Sequence, residues 1–153
     1  MSHNIATELI VVRHGETTWN VGGILQGQAA SSLSDVGKDQ ARAVAERLAT
    51  KQAAIAAIYS SDLERALDTA NLIANKCHIS QVTTMKELRE RHLGKLQGLS
   101  RKDARLLEPE AYKVFVSHLG EEPIPGGGES FNEFHKRSRL SLEKIAEKHL
   151  GNQ

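Results

Sequence analysis

The sequence predicts an α/β fold, a mostly parallel sheet covered by helices. Apolar runs at residues 9–12, 53–59 and 79–84 read as strands. Between them lie two segments with apolar residues at helical spacing, so the order is β-α-β-α-β. The composition agrees, with 39% hydrophobic and 25% charged residues, near the values for globular proteins. The 153 residues are read as one domain, long enough to bury a core.

Leu9 to Val12 read as a buried strand, since β-branched residues dominate and no Gly or Pro interrupts. The run delivers Arg13 and His14 to the carboxyl end of the strand, where open α/β sheets bind ligands. Gly15 allows a sharp turn there. Residues 21–34 are rich in Gly, Gln, Ser and Ala and read as a loop. Ser34 is the expected cap of the next helix, whose inner face holds Ala41, Val44, Ala45 and Leu48. Gly37 in its first turn is unfavourable for a helix. After the second strand, Ser60, Ser61 and Asp62 are the expected cap of a helix with Leu63, Ala66, Leu67, Ala70, Ile73, Ala74 and Cys77 on one face. Residues 85–100 have no clean period and read as an irregular, charged loop. Residues 101–119 read as helical with a break around Glu108 and Pro109, and 120–128 as a Pro- and Gly-rich loop. Residues 129–150 read as a last helix, with Phe131, Phe134, Leu142 and Ile145 facing in.

Several functions are disfavoured at this level. A formal net charge of +1 gives no global basic field for nucleic acid or an anionic membrane. Aromatic residues make up only 4%, too few for a single-strand stacking platform. No apolar run approaches the ~20 residues of a membrane span. The single cysteine, Cys77, forms no internal disulfide and fits a reducing compartment, so a cytoplasmic enzyme is expected.

Metal-free phosphoryl transfer needs a nucleophile, cationic donors for the phosphate oxygens, and an acid for the leaving oxygen. His14 fits the first need, because a neutral imidazole nitrogen can accept and release a phosphoryl group. Arg13 and Arg65 both follow strands and present planar donors suited to phosphate. Each residue alone has a plainer reading. A single histidine commonly hydrogen-bonds within its turn, Arg65 could pair with Glu64 or Asp62 in solvent, and Glu87 and Glu90 could be solvated members of a charged loop. His92, His118, His135 and His149 show no metal-ligand pattern and are expected at the surface. Gly126-Gly127-Gly128 lacks the Gly-Lys-Ser/Thr ending of a nucleotide loop.

Taken together, the motifs carry a resemblance. Arg13-His14-Gly15-Glu16-Thr17 resembles the signature of the histidine phosphatase superfamily, in the branch of the cofactor-dependent phosphoglycerate mutases. Ser61 to Ala70 is similar to its S-x-L-x-R-A-x-x-T-A segment, and Leu88 to Gly98 to its L-x-E-R-x-x-G-x-x-x-G segment. Leu93 stands where the mutases usually have tyrosine. Thr17-Thr18-Trp19-Asn20, Gln26-Gly27 and the P-x-G-G-E-S-like stretch before the last helix follow the same pattern, though Ile24 occupies a position where the family often has arginine. The resemblance runs from about Leu9 to about Leu150.

That resemblance implies a three-layer α/β/α fold of the phosphoglycerate mutase-like kind. It assigns His14 as nucleophile, Glu90 rather than Glu87 as general acid, and Arg13 and Arg65 as phosphate ligands. It adds Asn20, Gln26, Gly27 and Arg91 to the substrate-binding set, with backbone amides of the glycine run lining the pocket. No metal and no cofactor are implied, with a bisphosphoglycerate primer only if the chain acts as a mutase. The expected partner is a small phosphomonoester, with neither nucleic acid nor membrane. Hydrolysis is favoured over mutase action, because residues 98–126 are short for the lid that the classical mutases use to exclude water.

The family also has a further strand after the last helix, ending in a second histidine. The sequence stops before it, so a C-terminally shortened member lacking the last strand is expected. Two consequences are expected: self-association through the exposed Leu9–Val12 edge, and loss of one phosphoryl-stabilising donor. The alternative function is then an impaired phosphate-ligand binder or interaction partner.

Overall fold

A computed structural model describes residues 6–51, 55–117 and 120–150. Its elements run α1 (Thr18–Val21), α2 (Asp35–Ala49), β1 (Ile58–Ser60), α3 (Glu64–Lys76), β2 (Val82–Thr84), α4 (Arg101–Leu107), α5 (Pro109–Ser117) and α6 (Phe131–Lys148), with single 3-10 turns at Lys86–Leu88 and Gly94–Leu96. β1 and β2 pair in parallel, Ile58 opposite Val82 and Ser60 opposite Thr84. The intervening α3 packs on both strands and on α2, which is the predicted crossover unit. Ala41 and Ala45 of α2 and Ala70, Ile73 and Ala74 of α3 are buried on the expected faces.

A second core lies outside the sheet. Leu25, Leu93, Leu96, Ala104, Ala111, Val114 and Ile124 form one buried cluster beneath the loops and the α4–α5 pair. α4 and α5 are separated at Glu108, as the Glu108-Pro109 break predicts. Leu119 and His118 fall outside the described residues.

Several expectations need correction. Leu9 to Val12 are neither buried nor in a ladder among the described residues. They are 36–78% exposed, with Val11 the most exposed. They line a groove of about 470 Å³ with Ile58, Ile145 and Leu142, so strand-like residues lack a strand neighbour. Of the second run, residues 53 and 54 lie outside the described residues and only Ile58–Ser60 pairs. Val21, expected in a loop, closes the short α1.

The cap of α3 is Leu63, with no side-chain hydrogen bond. Asp62 is instead held by Arg89 through a bidentate pair at 2.6 and 2.6 Å, and the Ser60 hydroxyl donates to the Ser61 carbonyl. On α6 only Ile145 of the expected inner residues is buried; Leu142 borders the open groove, and Phe131 and Phe134 are half-buried beneath Arg91 and Arg137. Ser34 caps α2 and Ser130 caps α6, the latter in a reciprocal box with Glu133.

Candidate active site

The turn at Arg13-His14-Gly15 sits against the N-terminal end of α2. A methyl group on Gly15 would run into the Gly37 carbonyl, and one on Gly37 into the Glu16 carbonyl. The two glycines let the backbones touch, so Gly37 is there for close approach and not despite the helix. Ser34 N–H donates to the Glu16 carbonyl at 2.9 Å, the Ser34 hydroxyl to the Glu16 carboxylate at 2.7 Å, and Glu16 N–H to Gln40 at 2.9 Å. From the other side, Gly15 N–H donates to the buried Thr69 hydroxyl at 3.1 Å.

These bonds fix His14. Its Nδ1 lies 2.7 Å from the Gly15 carbonyl. A carbonyl only accepts, so Nδ1 carries the proton and Nε2 keeps its lone pair. Burial lowers the imidazole below its ordinary value of 6.5; the Gly15 bond opposes this, the Arg65 and Arg13 charges add to it, and Glu90 opposes it. His14 is a neutral, oriented base in a cationic setting.

Arg65 is 2% exposed. It donates to the Gly27 carbonyl at 2.5 Å, the Ala29 carbonyl at 3.0 Å and the Ser31 hydroxyl at 3.4 Å. It is thus the residue that ties the 27–31 loop to α3, a role not foreseen for a phosphate fork. Its Nε is buried with no hydrogen-bond partner among the described residues. Burial lowers its guanidinium, opposed by the Glu90 charge. Arg13 is exposed.

Gln26 accepts the Thr17 hydroxyl at 2.8 Å and the Ser31 hydroxyl at 2.5 Å. Asn20 is exposed and closes the Thr17 capping box of α1, so its amide oxygen faces the Thr17 backbone at 3.0 Å. Gly27 has a positive φ of 51°, and a side chain there would meet Gln97 and Leu93.

Glu90 is exposed, and its Oε1 accepts the Arg91 N–H at 2.7 Å. Arg91 is 5% exposed, and its Nε donates to the Glu129 carbonyl at 3.0 Å. Glu87 is exposed on the neighbouring turn. The glycine run was expected to offer amides to the pocket. Instead Gly128 N–H donates to the Ile124 carbonyl and Lys95 N–H to the Pro125 carbonyl, each at 2.9 Å, so the run packs on the Gly94–Lys95 turn. Two of the histidines expected at the surface are partly buried: His92 Nδ1 accepts Gly94 N–H at 3.0 Å, and His149 meets the Tyr59 hydroxyl at 2.9 Å. His118 is outside the described residues. Among the described residues, no three His, Cys, Asp or Glu side chains converge as a metal site, and no helix is long and apolar enough to cross a membrane.

The family model of the histidine phosphatase superfamily, branch 1, matches residues 9–153. The chain belongs to this superfamily. The chain is 52% identical over 145 residues to a metal-independent phosphoserine phosphatase of Arabidopsis thaliana, covering 95% of the chain and 60% of that relative. It is 49% identical to phosphoglycerate mutase-like protein 4 of the same plant, covering 94% of the chain and 62% of the relative. The solved structure of a mycobacterial glucosyl-3-phosphoglycerate phosphatase in complex with VO3 superposes with a TM-score of 0.78 at 35% identity, over 92% of this chain and 66% of that one. The chain thus spans about three fifths of the length of the plant relatives it matches. The three-layer, phosphoglycerate mutase-like class expected from sequence is that of these neighbours.

One group at the site was missed from sequence. Arg137 of α6 forms a bidentate pair with Glu129 at 2.7 and 2.8 Å. Burial pushes the Glu129 carboxyl up, but the Arg137 fork and the His92 N–H outweigh it and hold it below its ordinary value. The only sequence signal was an acid and a base eight residues apart across the start of a helix, too loose to single out.

Proposed function

We propose that the chain acts in metal-independent phosphoryl transfer through a phosphohistidine on His14, with hydrolysis of a phosphomonoester favoured over mutase action. The single observation that carries this is the Nδ1 contact to the Gly15 carbonyl, which leaves Nε2 as a lone-pair nucleophile among arginines. The names of the relatives support the hydrolytic reading, since the first is a phosphatase described as metal-independent.

In the proposed reaction, Nε2 attacks phosphorus and the ester P–O bond breaks. Glu90 gives its proton to the leaving oxygen. Water then attacks the phosphohistidine, its proton passes to Glu90, and the P–N bond breaks. Arg13 and the unpartnered Nε of Arg65 stabilise charge on the phosphoryl oxygens. Arg91, Gln26, Gly27 and Asn20 border the substrate. A second copy of the chain is the proposed partner of the exposed Leu9–Val12 segment, since a net charge of +1 offers little repulsion between copies.

The test is incubation with O-phosphoserine, followed by a search for acid-labile, base-stable phosphate. The expected result is label on His14 that His14→Ala abolishes. Binding of inorganic phosphate with neither label nor turnover would instead identify a ligand binder.

A further inference from the structure

The Glu90 side chain is exposed, and its Oε1 accepts the N–H of the next residue, Arg91, at 2.7 Å. Its position is decided by the backbone of residues 87–91, and that backbone is gripped from α6. The Arg137 guanidinium has five N–H donors, and each is matched. Nε and one Nη2 proton go to the two Glu129 oxygens. The Nη1 protons go to the Glu87 carbonyl at 2.7 Å and the Arg89 carbonyl at 2.9 Å, and the other Nη2 proton to the Glu90 carbonyl at 3.4 Å. Glu129 completes the frame: its Oε2 accepts the His92 N–H at 2.8 Å and its carbonyl accepts Arg91 Nε. The Arg137–Glu129 fork therefore contacts Glu87, Arg89, Glu90 and His92, and the Glu129 backbone carbonyl adds Arg91. On the opposite side Arg89 is anchored to Asp62 just after β1, and Gln28 donates to the Glu90 carbonyl at 3.0 Å.

We propose that Arg137 is a positioning residue, which with Glu129 fixes the 87–91 segment and so presents Glu90 and Arg91 to the phosphate held at His14. This rests on the phosphoryl-transfer reading and adds a residue remote from the reacting atoms. A planar fork is required, because no lysine can meet two carboxylate oxygens and three carbonyls at once. Small displacements of a catalytic group carry large losses in rate, so supports of this kind control the chemical step.

A purely structural clasp and a positioning clasp differ in what they do to two esters. p-Nitrophenyl phosphate has a leaving group that needs little protonation, whereas O-phosphoserine must be protonated as it leaves. Wild type, Glu90→Gln, Arg137→Gln and Arg137→Lys are compared for kcat and KM on both. Positioning predicts that both Arg137 variants follow Glu90→Gln in kcat/KM, which reports the steps up to departure of the leaving group, with kcat/KM on phosphoserine down by about 100-fold and on the nitrophenyl ester by less than about threefold, the scale of general-acid catalysis. Equal losses on the two esters, no loss, or full activity in Arg137→Lys would overturn it. Should the glutamine variant fail to fold, the lysine variant, which keeps a charge beside Glu129, carries the comparison. Wild type inert toward both esters counts against the phosphoryl-transfer reading itself. The clamp is then judged by amide hydrogen exchange of the whole chain: faster exchange confined to Arg91 and His92 in Arg137→Lys supports it, and unchanged exchange overturns it.

Discussion

At the scale of single residues, His14 shows how a turn selects a protonation state. The Gly15 carbonyl takes the Nδ1 proton, and burial with two arginine charges disfavours the imidazolium. The folded value lies below 6.5, so between the two values the unfolded chain holds more protons. Stability therefore rises with pH across that window, and it is lost as pH falls from about 6.5 toward the folded-state value. An NMR titration of the His14 ring is expected to show a midpoint below 6.5, with the acid limb of kcat/KM on phosphoserine at the same place. A midpoint at or above 6.5 in the ligand-free chain would contradict the burial argument. Arg65 shows the opposite kind of surprise. It was legible as a cation near a strand end, but its loop-clamping role depends on carbonyls of Gly27 and Ala29, more than thirty residues upstream.

At the scale of elements, α2 carries a glycine where helix propensity argues against one. Replacing a mid-helix glycine by alanine usually helps by roughly 0.8–1.0 kcal/mol. At Gly37 the added methyl meets the Glu16 backbone, which cannot swing away as a flexible side chain would. Gly37→Ala is expected to destabilise by about 1–3 kcal/mol, the usual cost of overpacking. Urea unfolding of the variant checks this, and a midpoint at or above that of wild type would refute it. The Ser34 cap was legible because a cap is a local interaction; the Ser130–Glu133 box is equally local but was not read from the sequence. The α3 cap was not legible, because Asp62 is claimed by Arg89, 27 residues along the chain.

At the scale of the whole molecule, the described residues divide their apolar burial between a small sheet unit and a separate cluster under the loops. The groove between the Leu9–Val12 backbone and β1 leaves apolar side chains facing solvent, with Val11 at 78% exposure. Such an exposed apolar stretch favours association between chains. Sedimentation velocity at rising concentration is expected to show self-association that Val11→Lys weakens. A monomer at every concentration, or a variant that associates equally well, would exclude this surface.

The sequence alone determined the parallel strand–helix–strand unit, the helix break at Glu108-Pro109 and the Ser34 cap; it named Arg13, His14, Arg65, Glu90 and Arg91 as site candidates through the family resemblance. The elements rest on local periodicity and residue type, and the site candidates on the order of the family motifs. Only the tertiary structure decided which nitrogen of His14 is free, that Gly37 exists for a backbone contact, that Leu9–Val12 lie open along a groove, and that Arg137 holds the 87–90 backbone. Each of these depends on what faces a group from a distant part of the chain, and hydrogen-bond direction, close approach and burial have no local pattern to announce them.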